Sequence, residues 1–161
     1  MKAFFSSVLA FIMMLFSLVS KPGITQGIVE VRISLSAWGC AYSEHKIDLA
    51  RGNLWEYKTW VTERKRRNPN ALFEGYRFAG RLEEDKIQAF LAAAEQYGFA
   101  DWAERYMPAP GDPLIMDGTT WSVKIVFADG TTRESIGYMT YPDTWDEMAA
   151  ALAALTGKAV L

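Results

Sequence analysis

The sequence predicts an α+β fold, in which an antiparallel sheet of about five strands carries two helices on one face. The predicted order is β-β-β-α-β-β-α, preceded by an N-terminal hydrophobic helix. Two observations support this prediction. Apolar and polar residues alternate with period two in several short segments, and two other segments repeat apolar residues at helical spacing behind acidic first turns. With helices on one face only, the other face must be polar, partnered or functional.

The second half of the chain has the most regular pattern. Trp121, Val123, Ile125 and Phe127 alternate with smaller or polar residues, which is typical of a strand with one buried face. Asp129-Gly130 then favours a two-residue hairpin turn. The return strand 131–138 has sparser apolar content, which predicts an edge strand or one partly open to solvent. A helix follows, with Pro142 in its first turn and Gly157 as its stop.

The first half predicts a meander and one helix. The predicted strands are 28–36, 43–51 and 54–62, and the predicted helix runs from Glu83 to Tyr97 with Gly98 as a stop. The remaining expectations are a loop over 65–81 with a short extended piece near 76–79, a short helical turn over 101–106, and an ordered loop over 107–118.

The N-terminus has the features of an export signal. Lys2 precedes an apolar run from Ala3 to Val19, followed by Ser20. We therefore expect a signal peptide or membrane anchor at 1–20, a linker at 21–27 and a single α+β domain at 28–161. The protein would be secreted, periplasmic or tethered to the outer face of the cytoplasmic membrane. The alternative is a buried N-terminal helix of a soluble protein.

Composition narrows the classes of function. The formal net charge of −2 gives no global attraction to nucleic acid, and membrane contact is expected only through the N-terminal segment. Cys40 is the only cysteine and His45 the only histidine, so neither an intramolecular disulfide nor a site built from several Cys or His ligands can form. No metal and no cofactor is expected.

His45 and Cys40 are the candidate catalytic residues, as a base and a thiol nucleophile. Against that role, Cys40 is not at a predicted helix N-terminus and has no cation-rich surroundings to lower its pKa. His45 alternates with Ile47 and Leu49, which favours a partly buried structural histidine. The acidic clusters in the first turns of both helices are explained by the helix dipole.

Two groups of residues are candidates for binding. Arg64, Lys65, Arg66 and Arg67 form a basic run that could bind anions, although a solvated charged loop is the more common role. Trp55 and Trp60 fall on opposite faces of one predicted strand, so one of them points away from the main core. An exposed Trp beside Tyr57 would suit a sugar ring or a protein partner. Packing in the core or at the sheet edge is the alternative for each Trp.

Some of these features resemble a known group of proteins. The run Trp121-Ser-Val-Lys-Ile-Val-Phe-Ala-Asp-Gly, then Gly137, Tyr141-Pro142 and Trp145, is similar to small exported bacterial proteins and lipoproteins that carry a domain of unknown function. Gly39-Cys40 and Tyr42 extend the resemblance over residues 28–156. This chain lacks the lipid-attachment cysteine of many such proteins, and the resemblance implies no catalytic residue.

The leading hypothesis is a non-enzymatic exported domain that binds a protein or cell-envelope partner through its open sheet face. One alternative is a cell-wall-directed hydrolase that uses His45 or a carboxylate. Another is an anion- or glycan-binding module that uses the basic run 64–67 with Trp55 or Trp60.

Overall fold

The computed structural model describes residues 27–37, 41–60, 76–111 and 118–161. The strands are β1 (Ile28–Ala37), β2 (Ala41–Asp48), β3 (Asn53–Trp60), β4 (Arg77–Arg81), β5 (Arg105–Tyr106), β6 (Thr119–Phe127) and β7 (Thr132–Tyr138). The helices are α1 (Glu84–Gln96) and α2 (Trp145–Thr156), and a 3-10 turn spans Phe99–Asp101. The hydrophobic segment predicted at 1–20 and most of the predicted linker lie outside the described residues.

The described strands form a single mixed sheet of seven strands in the order β4-β3-β2-β1-β6-β7-β5. Neighbouring strands are antiparallel except β5 and β7, which are parallel. The predicted α+β class and the two helices are confirmed. The predicted antiparallel sheet of about five strands differs in detail from the observed one, which has seven strands and one parallel pair, because the prediction omits the short outer strands β4 and β5.

Both omitted strands are too short to show a sequence period. β4 pairs with β3 from Asn53 opposite Arg81 to Glu56 opposite Arg77, with a register shift between Leu54 and Trp55. It contains the short extended piece that the sequence predicts near 76–79. β5 lies where a helical turn was predicted, and its two residues pair with β7 at Ile136 and Gly137. Tertiary pairing rather than local pattern therefore determines both strands.

Helix α2 begins after Pro142, which the sequence pattern places inside its first turn. Its first residue is Trp145, and Pro142 lies in the preceding turn, where its carbonyl accepts the Trp145 N–H at 3.0 Å. The predicted stop is correct. Gly157 has φ 71°, and its N–H donates to the Ala153 carbonyl, a left-handed cap that glycine adopts at little cost.

Both helices contribute to one hydrophobic core on the same side of the sheet. Alternate residues of the central strands are almost fully buried, as the period-two pattern predicts. The strand residues of this core include Val31, Ile33, Ile47, Leu54, Val123 and Ile125, and the helix residues are Ile87, Phe90, Ala94, Met148, Leu152 and Leu155. The result is a two-layer arrangement of helices on a sheet.

An aromatic cluster closes one end of the core around Trp121, which is fully buried. Its ring centroid lies 4.7 Å from that of Trp145 and 6.0 Å from that of Trp102. Thr144 links the surrounding segments, because its hydroxyl accepts the Trp102 indole N–H at 3.0 Å and donates to the Tyr97 carbonyl at 3.1 Å. Four separate segments of the chain therefore meet at this cluster.

Candidate functional site

The sheet has two unlike faces, and the candidate site lies on the face away from α1 and α2. Residues between the core positions of each strand point to this side, which we call the distal face. Its described members, read from the strand registers, include Glu30, Arg32, Ser34, Tyr42, Glu44, Lys46, Asp48, Asn53, Trp55, Tyr57, Phe78, Ser122, Lys124, Glu134 and Ile136.

A row of three cations crosses the middle of the distal face. The registers place Lys46 beside Arg32, and Arg32 beside Lys124, on three adjacent strands. Like charges directly opposite one another destabilise a sheet. Glu30 offsets two of these charges, since its carboxylate lies 2.6 Å from Arg32 Nε and 3.2 Å from Lys46 Nζ. Lys124, which is half-buried, forms no ion pair with another residue in the described ranges.

Two carboxylates are also neighbours on this face. Asp48 lies opposite Glu30 in the register, and only 6% of Asp48 is exposed. The Asp48 carboxylate accepts the backbone N–H of Arg51 at 3.0 Å and the Arg51 guanidinium at 3.2 Å. Both acids are therefore compensated locally. Arg32 and Lys46 compensate Glu30, and Arg51, in the turn that follows β2, compensates Asp48.

Aromatic rings flank these charges on the β3 side. Trp55 packs edge-to-face on Phe78, with ring centroids 5.4 Å apart, and Phe78 is 52% exposed. Tyr57 contacts the rings of Tyr76 and Tyr42, at centroid distances of 5.8 and 6.1 Å. The hydroxyls of Tyr42 and Tyr76 both donate to the Glu44 carboxylate. Aromatic rings and the half-buried Glu44 thus form one continuous strip.

A cavity of about 370 Å³ lies where the strip meets the charged residues. Its lining combines an indole, a phenol ring, an amide and three charged side chains: Lys46, Asp48, Arg51, Asn53, Trp55 and Tyr76. An apolar ring surface with a few converging polar groups is the usual composition of a small-molecule site. The volume is at the lower end of the usual range for such sites, which suits a small ligand.

The structure places two of the predicted binding residues on the distal face. Trp55 lines the cavity, and Tyr57 belongs to the adjoining aromatic strip. The side chain of Trp60 and the whole basic run 64–67 lie outside the described residues, as does Cys40. Of the binding residues named from the sequence, the structure therefore describes the side chains of only these two.

His45 lies on the opposite side of the sheet, against the core. It is 4% exposed and pairs with Ile33 and Glu56 across the neighbouring strands. Its Nε2 lies 4.0 Å from Glu56 Oε2, and the same Glu56 oxygen accepts Lys158 Nζ at 2.9 Å. His45 is therefore separated by the sheet from the cavity at Trp55.

Sequence reasoning missed most of the cavity lining. Lys46, Asp48 and Asn53 were not named, although one signal could have found them. The turn between β2 and β3 sets Asp48 opposite Asn53, and the same register sets Lys46 opposite Trp55. A strand register inferred from the turn would have placed these four side chains on one face.

Two other cavities lie along the β7 side. The larger, of about 580 Å³, lies beside the short strand β5 and is lined by Trp102, Glu104, Arg105, Thr132, Arg133, Glu134 and Ile136. The smaller, of about 330 Å³, adjoins the hairpin between β6 and β7. The larger cavity has two acids and two arginines in its lining, together with the half-buried Trp102.

Among the described residues, no group of three or more His, Cys, Asp or Glu side chains could hold a metal ion. No helix within those residues has the length and apolar character needed to cross a membrane.

Comparison with known proteins gives no relative. Neither a protein-family model, nor a curated protein, nor a solved structure matches this chain.

Proposed function

We propose that this chain is an exported, non-enzymatic binding domain whose distal face docks on a protein or another component of the cell envelope. The observation that carries this proposal is the row of Lys46, Arg32 and Lys124 across three adjacent strands. These side chains point away from the hydrophobic core, so packing does not require them there.

The row is unfavourable for the isolated fold. Cations directly opposite one another in a sheet repel, and Glu30 can compensate only its two bonded neighbours. Residues that weaken a fold, with no stabilising contact in return, concentrate at functional sites. Lys124 lies opposite Glu134 on β7 and forms no ion pair with it in the described ranges, so its charge is available to a partner with a complementary polar surface.

Charge reversal at Lys124 tests this role. We expect Lys124→Glu to weaken retention of the full chain by the cell-envelope fraction of its native host by at least about fivefold, because a docking charge changes sign. Co-sedimentation with that fraction is the measurement. Thermal unfolding should change little, since the new carboxylate faces Arg32 as well as Glu134.

Lys86→Glu is the matched control, with the same change in net charge. Lys86 is exposed on α1 and, among the described residues, pairs only with the exposed Glu83 at 2.7 Å, an interaction of little energetic value. The Lys86→Glu variant should leave retention by the envelope fraction unchanged. Equal retention of the Lys124→Glu variant and the parent, or an equal loss in both variants, would contradict docking through the distal face.

Export is the second part of the proposal. It is supported by Lys2 and the apolar run from Ala3 to Val19, and by the resemblance to small exported bacterial proteins. A fusion of residues 1–25 to a reporter that is active only in the periplasm should give activity. Export would be rejected if this fusion were inactive while a fusion of residues 1–25 to a reporter that works only in the cytoplasm were active.

A further inference from the structure

The cavity at Trp55 has a platform for a flat apolar surface. Trp55 is half-buried and makes an edge-to-face contact with Phe78, which restricts the orientation of its ring on the distal face. A rigid indole offers a large contact area at low entropic cost, and the negative charge density on its face attracts weakly positive C–H groups. One side of a pyranose ring presents such C–H groups, while its edge carries hydroxyls.

The charges around the cavity are already compensated within the protein. Lys46 Nζ lies 3.2 Å from Glu30, and the Arg51 guanidinium lies 3.2 Å from Asp48. An anionic ligand would bring its charge beside the Glu30 and Asp48 carboxylates, and a cationic ligand would bring its charge beside Lys46 and Arg51. An uncharged ligand with many hydroxyls can instead bond to the remaining lone pairs and N–H groups of the existing ion pairs.

Hydrogen-bonding groups also remain at the cavity wall. Within the described ranges, the Asn53 carboxamide and the Trp55 indole N–H form no hydrogen bond to another side chain or carbonyl. Asp48 contributes a carboxylate that is held in place by Arg51. Donor, acceptor and aromatic platform are therefore all available on adjacent strands, which is the combination that recognises a polyol ring.

We infer that this cavity binds one ring of an uncharged saccharide, stacked on Trp55 and hydrogen-bonded to Asn53 and Asp48. The inference rests on the proposed function, since it assigns a ligand class to one part of the distal face. An envelope or extracellular glycan would be the source of such a ring for an exported domain.

The test is a titration of the full chain, labelled with ¹⁵N at its six tryptophans, with three soluble hexasaccharides. The probes are cellohexaose, maltohexaose and the hexamer of N-acetylglucosamine. The Trp55 indole N–H signal is identified by its disappearance in Trp55→Phe. We expect at least one probe at millimolar concentration to shift that signal in a saturable manner.

Two variants assign the interactions. Trp55→Ala should weaken binding by at least about tenfold, because the stacking platform is lost. Asn53→Ala should weaken it by roughly threefold to tenfold through the loss of its amide hydrogen bonds. Tyr141→Leu is the control, since Tyr141 is 40% exposed and packs on Trp121 and Trp145 at the aromatic cluster. It should leave the affinity unchanged.

Each remaining outcome has a distinct meaning. If no hexasaccharide shifts the Trp55 signal, or if Trp55→Ala binds as tightly as the parent, the saccharide inference is wrong. Heparin, used as an anionic probe, should leave the Trp55 signal in place, and a shift with heparin alone would overturn the assignment to an uncharged ring. If these tests fail while Lys124→Glu still weakens envelope retention, the saccharide site is rejected and the docking face stands.

Discussion

At the scale of single residues, Gly137 is where the packing allows least change. It lies opposite Trp121 in the register of β6 and β7, and the buried indole fills the space above it. A Cβ at position 137 would come within 2.3 Å of the indole ring. The indole cannot move away easily, because its N–H donates to the Thr140 carbonyl at 2.9 Å and its ring packs on Trp145.

Gly137→Ala should therefore lower the free energy of unfolding by about 1–3 kcal/mol through overpacking. Urea unfolding followed by tryptophan fluorescence measures it. Gly27→Ala is the matched control, because a Cβ there meets its nearest atoms at an ordinary 3.9 Å. If Gly137→Ala were as stable as Gly27→Ala, the described packing of Trp121 would be incorrect.

Asp129 provides a residue-scale prediction about pH. The Thr131 hydroxyl and the Thr131 backbone N–H both donate to its carboxylate, at 2.7 and 2.9 Å, and these bonds lower the pKa of Asp129. A pKa that is lower in the folded state than in the unfolded chain stabilises the hairpin at neutral pH, and this stabilisation is lost as the pH falls through the folded value.

An NMR titration of the Asp129 carboxyl should give a midpoint below that of an ordinary aspartate. Thr131→Val should raise the midpoint towards the ordinary value, since it removes the hydroxyl and leaves the backbone N–H. A midpoint that is the same in the parent and in Thr131→Val would show that the hydroxyl does not bind the carboxylate.

At the scale of elements, β1 is the central strand of the sheet. This strand pairs with β2 on one side and with β6 on the other over most of its length. β5 is the opposite case, with two residues paired to β7 at the edge of the sheet. Local opening costs least where few buried contacts and few hydrogen bonds must be broken.

Native-state hydrogen exchange should reflect this difference. Backbone amides of Val31 and Ile33, which are fully buried in β1, should be among the slowest to exchange. The amides of Arg105 and Tyr106 in β5 should exchange much sooner, in conditions that leave β1 protected. Equal protection of β1 and β5 would contradict the assignment of β5 to an outer position.

The same contrast explains which elements the sequence could predict. Strands 28–36 and 121–128 alternate over eight or more residues, and α1 shows a helical apolar face behind Glu84 and Asp85, so local pattern is sufficient. β4 and β5 have five and two residues, which is too few for a period to appear. Their pairing depends on the neighbouring strands, and sequence pattern alone does not show which strands become neighbours.

At the scale of the whole molecule, the two sheet faces have different roles. The helix side buries nearly all the large apolar side chains and also the polar His45, whereas the distal face has charges and aromatic rings. The sequence predicted that one face would be polar or functional, and it named either Trp55 or Trp60, together with Tyr57, as candidates there. It did not identify the cation row or the cavity, because both arise from side chains on different strands that only the register brings together.

Site-specific photo-crosslinking in the native host tests the central claim most directly. A photoreactive phenylalanine analogue at Ser34 or Lys124 would report contacts of the distal face, and the same analogue at Gln88 or Ala92 would report contacts of the exposed side of α1. We predict that the two distal positions crosslink to one common envelope component and that the α1 positions do not. Crosslinks from α1 alone, or the same products from both sides, would contradict a partner-binding role for the distal face.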